Sequence, residues 1–354
     1  MFEDMAKRPA VWLSGEDSTS QIVLSSRIRL ARNISNCPFP SEADTDSREK
    51  VLSFIKSAID KSPTLSQGRF VKCSQLDDLD RSFLLERHLI SLEFRQCRDS
   101  SALFIGEGEQ VSIMINEEDH LRIQSLQSGL NIRAAYQIAA KIDEELAKSL
   151  EFAFDSNFGY LTSCPTNVGT GMRASVLIHL PGLALTKEIE NVISQISKLG
   201  LAVRGFYGEG SDVLGALFQV SNQTTLGRSE EDITESLERV TQQIIEYEEN
   251  ARNRLFKDAK DQIEDKIFRA YGILKFARTL TSEEVLNLLS AIRLGIGEGI
   301  MKMVTLSQIN EILAFSQPSH LQKYFNKKME PGERDRIRAK LIRSKLAEEK
   351  GSIL

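Results

Sequence analysis

At 354 residues, with 41% apolar and 27% charged residues, the chain has the composition of an ordered protein long enough for a large domain and a smaller one. A net charge of −5 argues against non-specific nucleic-acid or acidic-membrane binding as the main activity, because both rest on a cationic field. No apolar run approaches the ~18 residues of a membrane span, and Met1-Phe2-Glu3-Asp4 is acidic where a signal peptide is basic, so a cytoplasmic protein is expected.

In chain order, Gln21–Leu30 reads as the first strand. Its Arg27 and Arg29, two apart, share one face and call for an anion or acid between them, although surface carboxylates satisfy many such pairs. A helix is predicted over Ser47–Asp60, then strands over Ala102–Ile105 and Val111–Asn116. Acid gathers at the end of that last strand, in Asn116-Glu117-Glu118-Asp119-His120, with Arg122 following. A guanidinium, with a pKa above ~12, becomes nucleophilic near neutrality only where a carboxylate holds its planar fork and accepts a proton, a role open to Glu117 or Glu118. The same residues also read as the acidic start of a helix over Asp119–Leu146, with Glu118 and Arg122 as an i,i+4 pair.

Ser163 to Ser175 is a loop of small and turn-forming residues that carries Cys164, hydroxyls and Arg173, and a thiol near arginines can act as an anionic acceptor. The other cysteines, Cys37, Cys73 and Cys97, are scattered without a C-x-x-C pair, so neither a zinc site nor a disulfide framework is indicated and each of the four is expected as a reduced, buried thiol. Strands follow over Ala174–Leu180, Leu201–Phe206 and Leu217–Val220, with a helix over Lys187–Leu199 ended by Gly200. There is no G-x-x-x-x-G-K-[ST] loop and no protein-kinase motif set, so any phosphate site must be built differently, with arginines as the obvious substitute.

After Ser229 the pattern is helical. Ser229-Glu230-Glu231-Asp232 opens a long amphipathic helix with Ile233, Leu237, Val240, Ile244, Tyr247, Ala251 and Leu255 at steps of three and four. Thr281-Ser282-Glu283-Glu284 starts another, and Pro331 opens a last one with Ile337, Leu341, Ile342 and Leu346. The expected fold is α+β: a mostly antiparallel sheet flanked by helices over residues 1–228, then an all-α bundle over 229–354.

The segment Cys-Pro-Thr-Asn-Val-Gly-Thr-Gly-Met-Arg-Ala-Ser at 164–175 resembles the signature of the phosphagen (guanidino) kinases. Asn-Glu-Glu-Asp-His at 116–120, Ser-Ser-Arg-Ile-Arg-Leu-Ala-Arg-Asn at 25–33, Arg204 to Gly210 and Asn222 to Gly227 are similar to further segments of that family, in family order. The resemblance implies ATP as donor, with Arg27, Arg29, Arg122, Arg173 and Arg204 around its phosphates and Mg²⁺ completing the neutralisation. It implies further nucleotide contacts along Ser25, Ser26 and Ile28, along Ala174, Ser175, Val176 and Leu177, and along Gly205, Phe206, Tyr207, Gly208 and Glu209. Glu118, rather than Glu117, matches the catalytic carboxylate, Glu209 the second one, and Cys164 the reactive thiol. Leu177 stands where creatine and arginine kinases have a histidine, and His88 is similar to a nucleotide contact of the family's bacterial protein-arginine branch.

Only 24 residues precede the Ser-Ser-Arg-Ile-Arg motif, whereas small-substrate members carry a helical domain of about a hundred there. That departure implies an acceptor bulkier than a free amino acid, namely an exposed arginine of a protein. Arg334-Asp335-Arg336-Ile337-Arg338-Ala339 resembles the branch's phosphoarginine-binding allosteric motif, although by composition it is a solvated helix face. The resemblance also implies a Clp protease, a zinc-binding activator and a heat-shock repressor as partners, and the long helix is consistent with a homodimer. The competing expectations are a kinase of a free small guanidine and a non-catalytic phosphoarginine-binding adaptor; the intact set of site residues speaks against the adaptor.

Overall fold

Period-2 alternation sets both faces of the central sheet. In the computed structural model, which describes residues 1–15, 18–205 and 214–347, the strands are β1 (Val23–Arg32), β2 (Arg69–Lys72), β3 (Ala102–Ile105), β4 (Val111–Ile115), β5 (Leu121–Ser128), β6 (Phe154–Asp155), β7 (Gly159–Tyr160), β8 (Met172–His179), β9 (Leu201–Gly205) and β10 (Leu217–Asn222). Eight of them form one sheet, ordered β2-β3-β4-β5-β1-β8-β10-β9, and β6 and β7 form a separate hairpin. Every pairing is antiparallel, as the sequence implied for most of them.

The helices are α1 (Glu3–Ala6), α2 (Thr45–Lys61), α3 (Asp78–Glu86), α4 (Ile132–Ala147), α5 (Pro181–Leu185), α6 (Ile189–Lys198), α7 (Glu230–Asp258), α8 (Lys260–Phe276), α9 (Ser282–Gly297), α10 (Leu306–Phe315), α11 (Pro318–Tyr324) and α12 (Pro331–Ala347). On one face, Ile28 and Leu30 of β1 and Ala174, Val176 and Ile178 of β8 pack against α2, α4 and α7 in the main core. Over the opposite face, α8, α9, α10 and α12 gather a second core that reaches Leu177 and Leu217. A third, around α3, takes Leu103, Ile105 and Met114. Among the described residues no helix is long and apolar enough to cross a membrane.

The start signals act as expected. Ser229 caps α7 in a capping box with Asp232, and Thr281 caps α9 by accepting from the Glu284 amide. Composition places α7 with the helical half, yet its Ile233, Leu237, Val240, Ile244 and Ala251 complete the main core beneath the sheet, with Tyr247 exposed.

Two expectations fail. The helix predicted over Asp119–Leu146 is a strand, β5, followed by a turn at Gly129 and then α4. The alternation Leu121, Ile123, Ser125 was masked by polar Gln124 and Gln127, and Gly129 at φ 65° marks the break. The four cysteines are not uniformly reduced and buried: Cys73 and Cys97 form a disulfide with Cα atoms 6.2 Å apart, and Cys37 and Cys164 are only half-buried. Packing of the 94–96 turn beside the end of β2 brings together two residues 24 apart that no local motif relates. The edge strand β2 went unpredicted because Val71 is its one buried side chain.

Buried polar bonds join the two halves. Both Glu86 carboxylate oxygens, at the end of α3, accept from the Ser319 amide (2.9 and 3.0 Å), and one accepts from His320 (2.8 Å) in α11. Lys323 reaches buried Asp80 at 2.6 Å alongside. Burial, opposed by those amide bonds, pushes the Glu86 carboxyl up to about 7. The folded state therefore holds this proton more tightly than the unfolded chain, where the group titrates near 4.5. Its contribution is complete below that value and is lost as the pH rises through about 7. Relative to Glu86→Gln, the wild type should lose on the order of 3 kcal/mol of urea-unfolding stability between about pH 4.5 and 7.5; a pH-independent difference would refute the assignment.

Candidate active site

Antiparallel register lines up the arginines on the sheet face opposite the main core. Across β1, Arg29 stands opposite Arg173 of β8, and Ala31 opposite Arg122 of β5. On β10, Gln219 stands opposite Arg204 of β9. Arg27, Arg29, Arg122, Arg173 and Arg204 line one cavity of about 470 Å³, together with His88, Glu118 and Cys164. An adjoining recess is lined by Ser25, Ser175 and Leu177 and shares Arg27, His88 and Gln219.

Like charges on one buried face depress one another. Burial, then the charges of Arg173 and Arg122, lowers Arg27 to about 10. Burial, then Arg27, Arg122 and Arg173, lowers Arg29 well below its usual value, with Glu117 opposing. Neutral acceptors hold the forks: Arg27 donates to Gln219 Oε1 at 2.7 Å and to Ser175 Oγ at 3.3 Å, and Arg173 to Ser221 Oγ at 3.3 Å. Such a cluster is complementary to a polyanion whose charge offsets the repulsion. His88 lies edge-on to Trp12, ring centroids 5.2 Å apart, and burial followed by the Arg27 charge lowers it to about 3, so the ring is neutral near pH 7.

The acid-rich segment is the β4–β5 turn, with Asn116 at φ 53°. Arg122 bridges Glu117 and Glu118, each at 2.8 Å. The Glu117 side chain is 5% exposed and also accepts from Ser91, whereas that of Glu118 is 41% exposed. Arg122 thus keeps a buried partner while Glu118 can turn to an incoming cation. Burial raises the Glu118 carboxyl, Arg122 opposes, and Asp119, Glu117 and Glu93 reinforce the rise.

Asp119 Oδ1 accepts from Asn33 Nδ2 and from the Ser163 amide, both at 2.7 Å, and Ser163 Oγ donates to the Glu118 carbonyl at 2.7 Å, fastening the acid turn to the thiol loop. Within that loop Cys164 Sγ lies 3.0 Å from Thr166 Oγ1. Thr225 Oγ1 donates to the Thr166 and Val168 carbonyls, so the Asn222–Gly227 segment braces the loop. At Gly169, φ 115°, a Cβ would sit 2.7 Å from the Thr225 carbonyl oxygen, which only glycine avoids.

Several sequence-implied residues do not reach the cavity. Ile28, Ala174 and Val176 pack in the main core. Ser26 Oγ instead bonds the Gly129 carbonyl and the Asn131 amide, and Gly205 is buried at the end of β9. Phe206, Tyr207, Gly208 and Glu209 lie outside the described residues. In α12, Arg338 is buried and donates to the Ser316 and Leu280 carbonyls, each at 2.7 Å, and to Asp335 at 2.5 Å. Ala339 is also buried, Ile337 packs near Phe315, Arg334 donates to the Met329 carbonyl and Arg336 is exposed. Reasoning from sequence missed Gln219, whose polar side chain within an apolar strand was the available signal, and the 85–93 wall apart from His88.

The ATP:guanido phosphotransferase C-terminal catalytic domain model matches residues 50–251, and the protein-arginine kinase McsB C-terminal domain model matches 260–352. The protein-arginine kinase of Halothermothrix orenii is 45% identical over 335 residues, 95% of this chain and 96% of that protein. That of Geobacillus sp. (strain WCH70) is 47% identical over 337 residues, 95% and 93% respectively. Among solved structures, a lombricine kinase matches with TM-score 0.58 at 27% identity, covering 67% of this chain and 69% of that one. The duplicated taurocyamine kinase from Schistosoma mansoni matches with TM-score 0.61 at 28% identity, covering 66% and 34%.

Replacing Arg29 by Met should weaken binding of inorganic triphosphate by about 10- to 100-fold in calorimetry. Arg133→Met, which removes an exposed pair with Glu235 and Glu238, should leave it unchanged; equal effects would deny the arginine face its anion.

Proposed function

This chain belongs to the ATP:guanido phosphotransferase family, and from that premise we infer that it transfers the γ-phosphoryl group of ATP to the guanidinium of arginine side chains in proteins. The observation that carries the reading is the arginine-lined cavity with Glu118 on its wall, in a chain whose full-length relatives are protein-arginine kinases.

The arginines present guanidinium forks to the triphosphate and to the charge that spreads over the transferring group. Neutral His88, with Leu177 and Ser175, lines the recess beyond Arg27 on the side assigned to the base. Among the described residues no group of His, Cys, Asp or Glu is arranged to hold a metal, so Mg²⁺ would enter on the nucleotide phosphates, where it adds charge neutralisation. Glu118 turns from Arg122 to the acceptor guanidinium, orients it and takes its proton. A nitrogen–phosphorus bond forms, the bond to the β,γ-bridging oxygen breaks, and ADP leaves with that electron pair. Cys164 stands beside the acceptor as a further hydrogen-bonding group, and Glu209 is the second carboxylate of the same reading.

Regulation by phosphoarginine through Arg334–Ala339 belongs to this proposal, with Arg336 exposed, Arg334 half-buried and Asp335 holding Arg338 as it would hold a guanidinium. So do a cytoplasmic location, a homodimer, and delivery of marked proteins to a Clp protease, with a zinc-binding activator and a heat-shock repressor as partners.

The test incubates wild type and Glu118→Gln with Mg-ATP and an arginine-bearing unfolded protein, free arginine in parallel, and reads phosphate on arginine by non-acidic mass spectrometry. Label on the protein alone is expected, with kcat lower by about 10² to 10⁴ in the variant. Because Glu118 must be ionised to accept a proton, kcat/KM should fall as the pH drops, with a midpoint above the ordinary carboxylate value of 4.5. That limb should vanish in Glu118→Gln. Label on free arginine alone would make the chain a small-guanidine kinase, and label on neither an adaptor.

A further inference from the structure

Across the thiol loop from the reaction cavity, the β6–β7 hairpin presents apolar side chains that the fold does not use. Phe154 is 61% exposed, Phe158 55% and neighbouring Leu226 53%. An exposed apolar cluster of this kind marks an interaction site more often than chance packing.

The cluster is held rigidly. Asp155 Oδ1 accepts from the Asn157 and Phe158 amides, at 2.7 and 3.1 Å, which fixes the turn that carries Phe158. Phe154 meets Tyr160 edge-on, ring centroids 5.3 Å apart. The Arg32 guanidinium lies 3.5 Å from the centre of the Tyr160 ring and is itself paired with Asp143 at 2.8 Å.

The hairpin is also continuous with the reaction site. Tyr160 and Gly169 exchange backbone hydrogen bonds of 2.8 and 3.3 Å, and a Cβ on Gly159 would lie 2.5 Å from the Gly169 carbonyl oxygen. A cavity of about 250 Å³ opens there, lined by Phe154, Phe158, Tyr160, Thr170, Leu226 and Arg228. Cys164, Thr166, Asn167 and Gly171 of the same loop wall the reaction cavity.

We propose that this hairpin surface docks the polypeptide that carries the acceptor arginine, taking up an apolar side chain that flanks the arginine in sequence. The proposal rests on the protein-arginine kinase reading and names the substrate class within it. An extended chain advances roughly 3.3–3.6 Å per residue, so a neighbour two to four positions from the arginine reaches over one loop. Large apolar side chains are mostly withdrawn from the surface of folded proteins, so the surface selects unfolded segments. Aromatic rings already held in place bind with little further loss of freedom. A second copy of this chain could use the patch without any continuity with the cavity, and that continuity favours the substrate.

The test compares two nine-residue peptides with a single arginine, one with leucine three positions away and the other with serine there, on the full chain, on Phe154→Ser/Phe158→Ser and on Leu226→Ser. Wild type should show a KM about tenfold lower for the leucine peptide. Either variant should shrink that ratio towards one, with KM for ATP and kcat on the serine peptide unchanged. Equal KM for the two peptides in wild type would overturn the proposal, as would an undiminished ratio in both variants. So would a halved solution mass in the variants with the peptide ratio intact, which would assign the patch to a second copy. Failure to phosphorylate either peptide, when unfolded protein is labelled, also overturns it; failure on every arginine substrate removes instead the kinase reading beneath it.

Discussion

The rest of the structure is arranged around the mutual repulsion of guanidinium groups held on one face of a sheet. Arg29 and Arg173 are direct register partners, and Arg27 and Arg122 lie close enough for each to depress its neighbours' basicity. Among the described residues, Arg122 is paired with two carboxylates, Glu117 and Glu118, while other arginines of the face donate to neutral acceptors. These are Gln219, Ser175 and Ser221, which satisfy donors without cancelling charge. Such a face is complementary to a polyanion, which it can hold with guanidinium forks and no glycine-rich loop.

Holding such a face together requires anchoring from outside it. The packed main core beneath β1 and β8 prevents the strands from separating to relieve the repulsion. Arg32, which points away from the cavity, donates to the Thr170 carbonyl at 2.9 Å and pairs with Asp143, so an arginine of the same motif secures the thiol loop and not the phosphate. Asp119 joins that loop to the acid turn, and the placement of Glu118 relative to Cys164 follows from one carboxylate oxygen accepting two bonds.

The helical half reaches the same site indirectly. Arg338 ties α12 to the Ser316 carbonyl at the end of α10, the next helix gives its Ser319 and His320 amides to Glu86, and two residues on from Glu86 is His88 in the cavity wall. A short, polar and buried chain of contacts thus connects α12 with the recess that holds His88.

Much of this was legible in the chain. Alternation located β1, β3, β4, β8, β9 and β10, capping signals located α7 and α9, and the ordered arginine and Cys164 motifs named residues that line one cavity, because these are local patterns with a local physical cause. The sequence alone did not distinguish strand from helix after Asp119, since polar Gln124 on the side of Arg122 and Gln127 on the other obscured the period of β5. Nor did it separate Arg27 from Ile28, or Ser175 from Val176, as cavity or core; a contiguous motif names both faces of a strand, and only the register and the helices packed beneath decide which one meets the ligand. The Cys73–Cys97 disulfide and the Glu86 bridge likewise depend on residues far apart in sequence. Residue chemistry was settled by the sequence, and burial, pairing and direction by the fold, because desolvation and distance exist only once the chain has closed on itself.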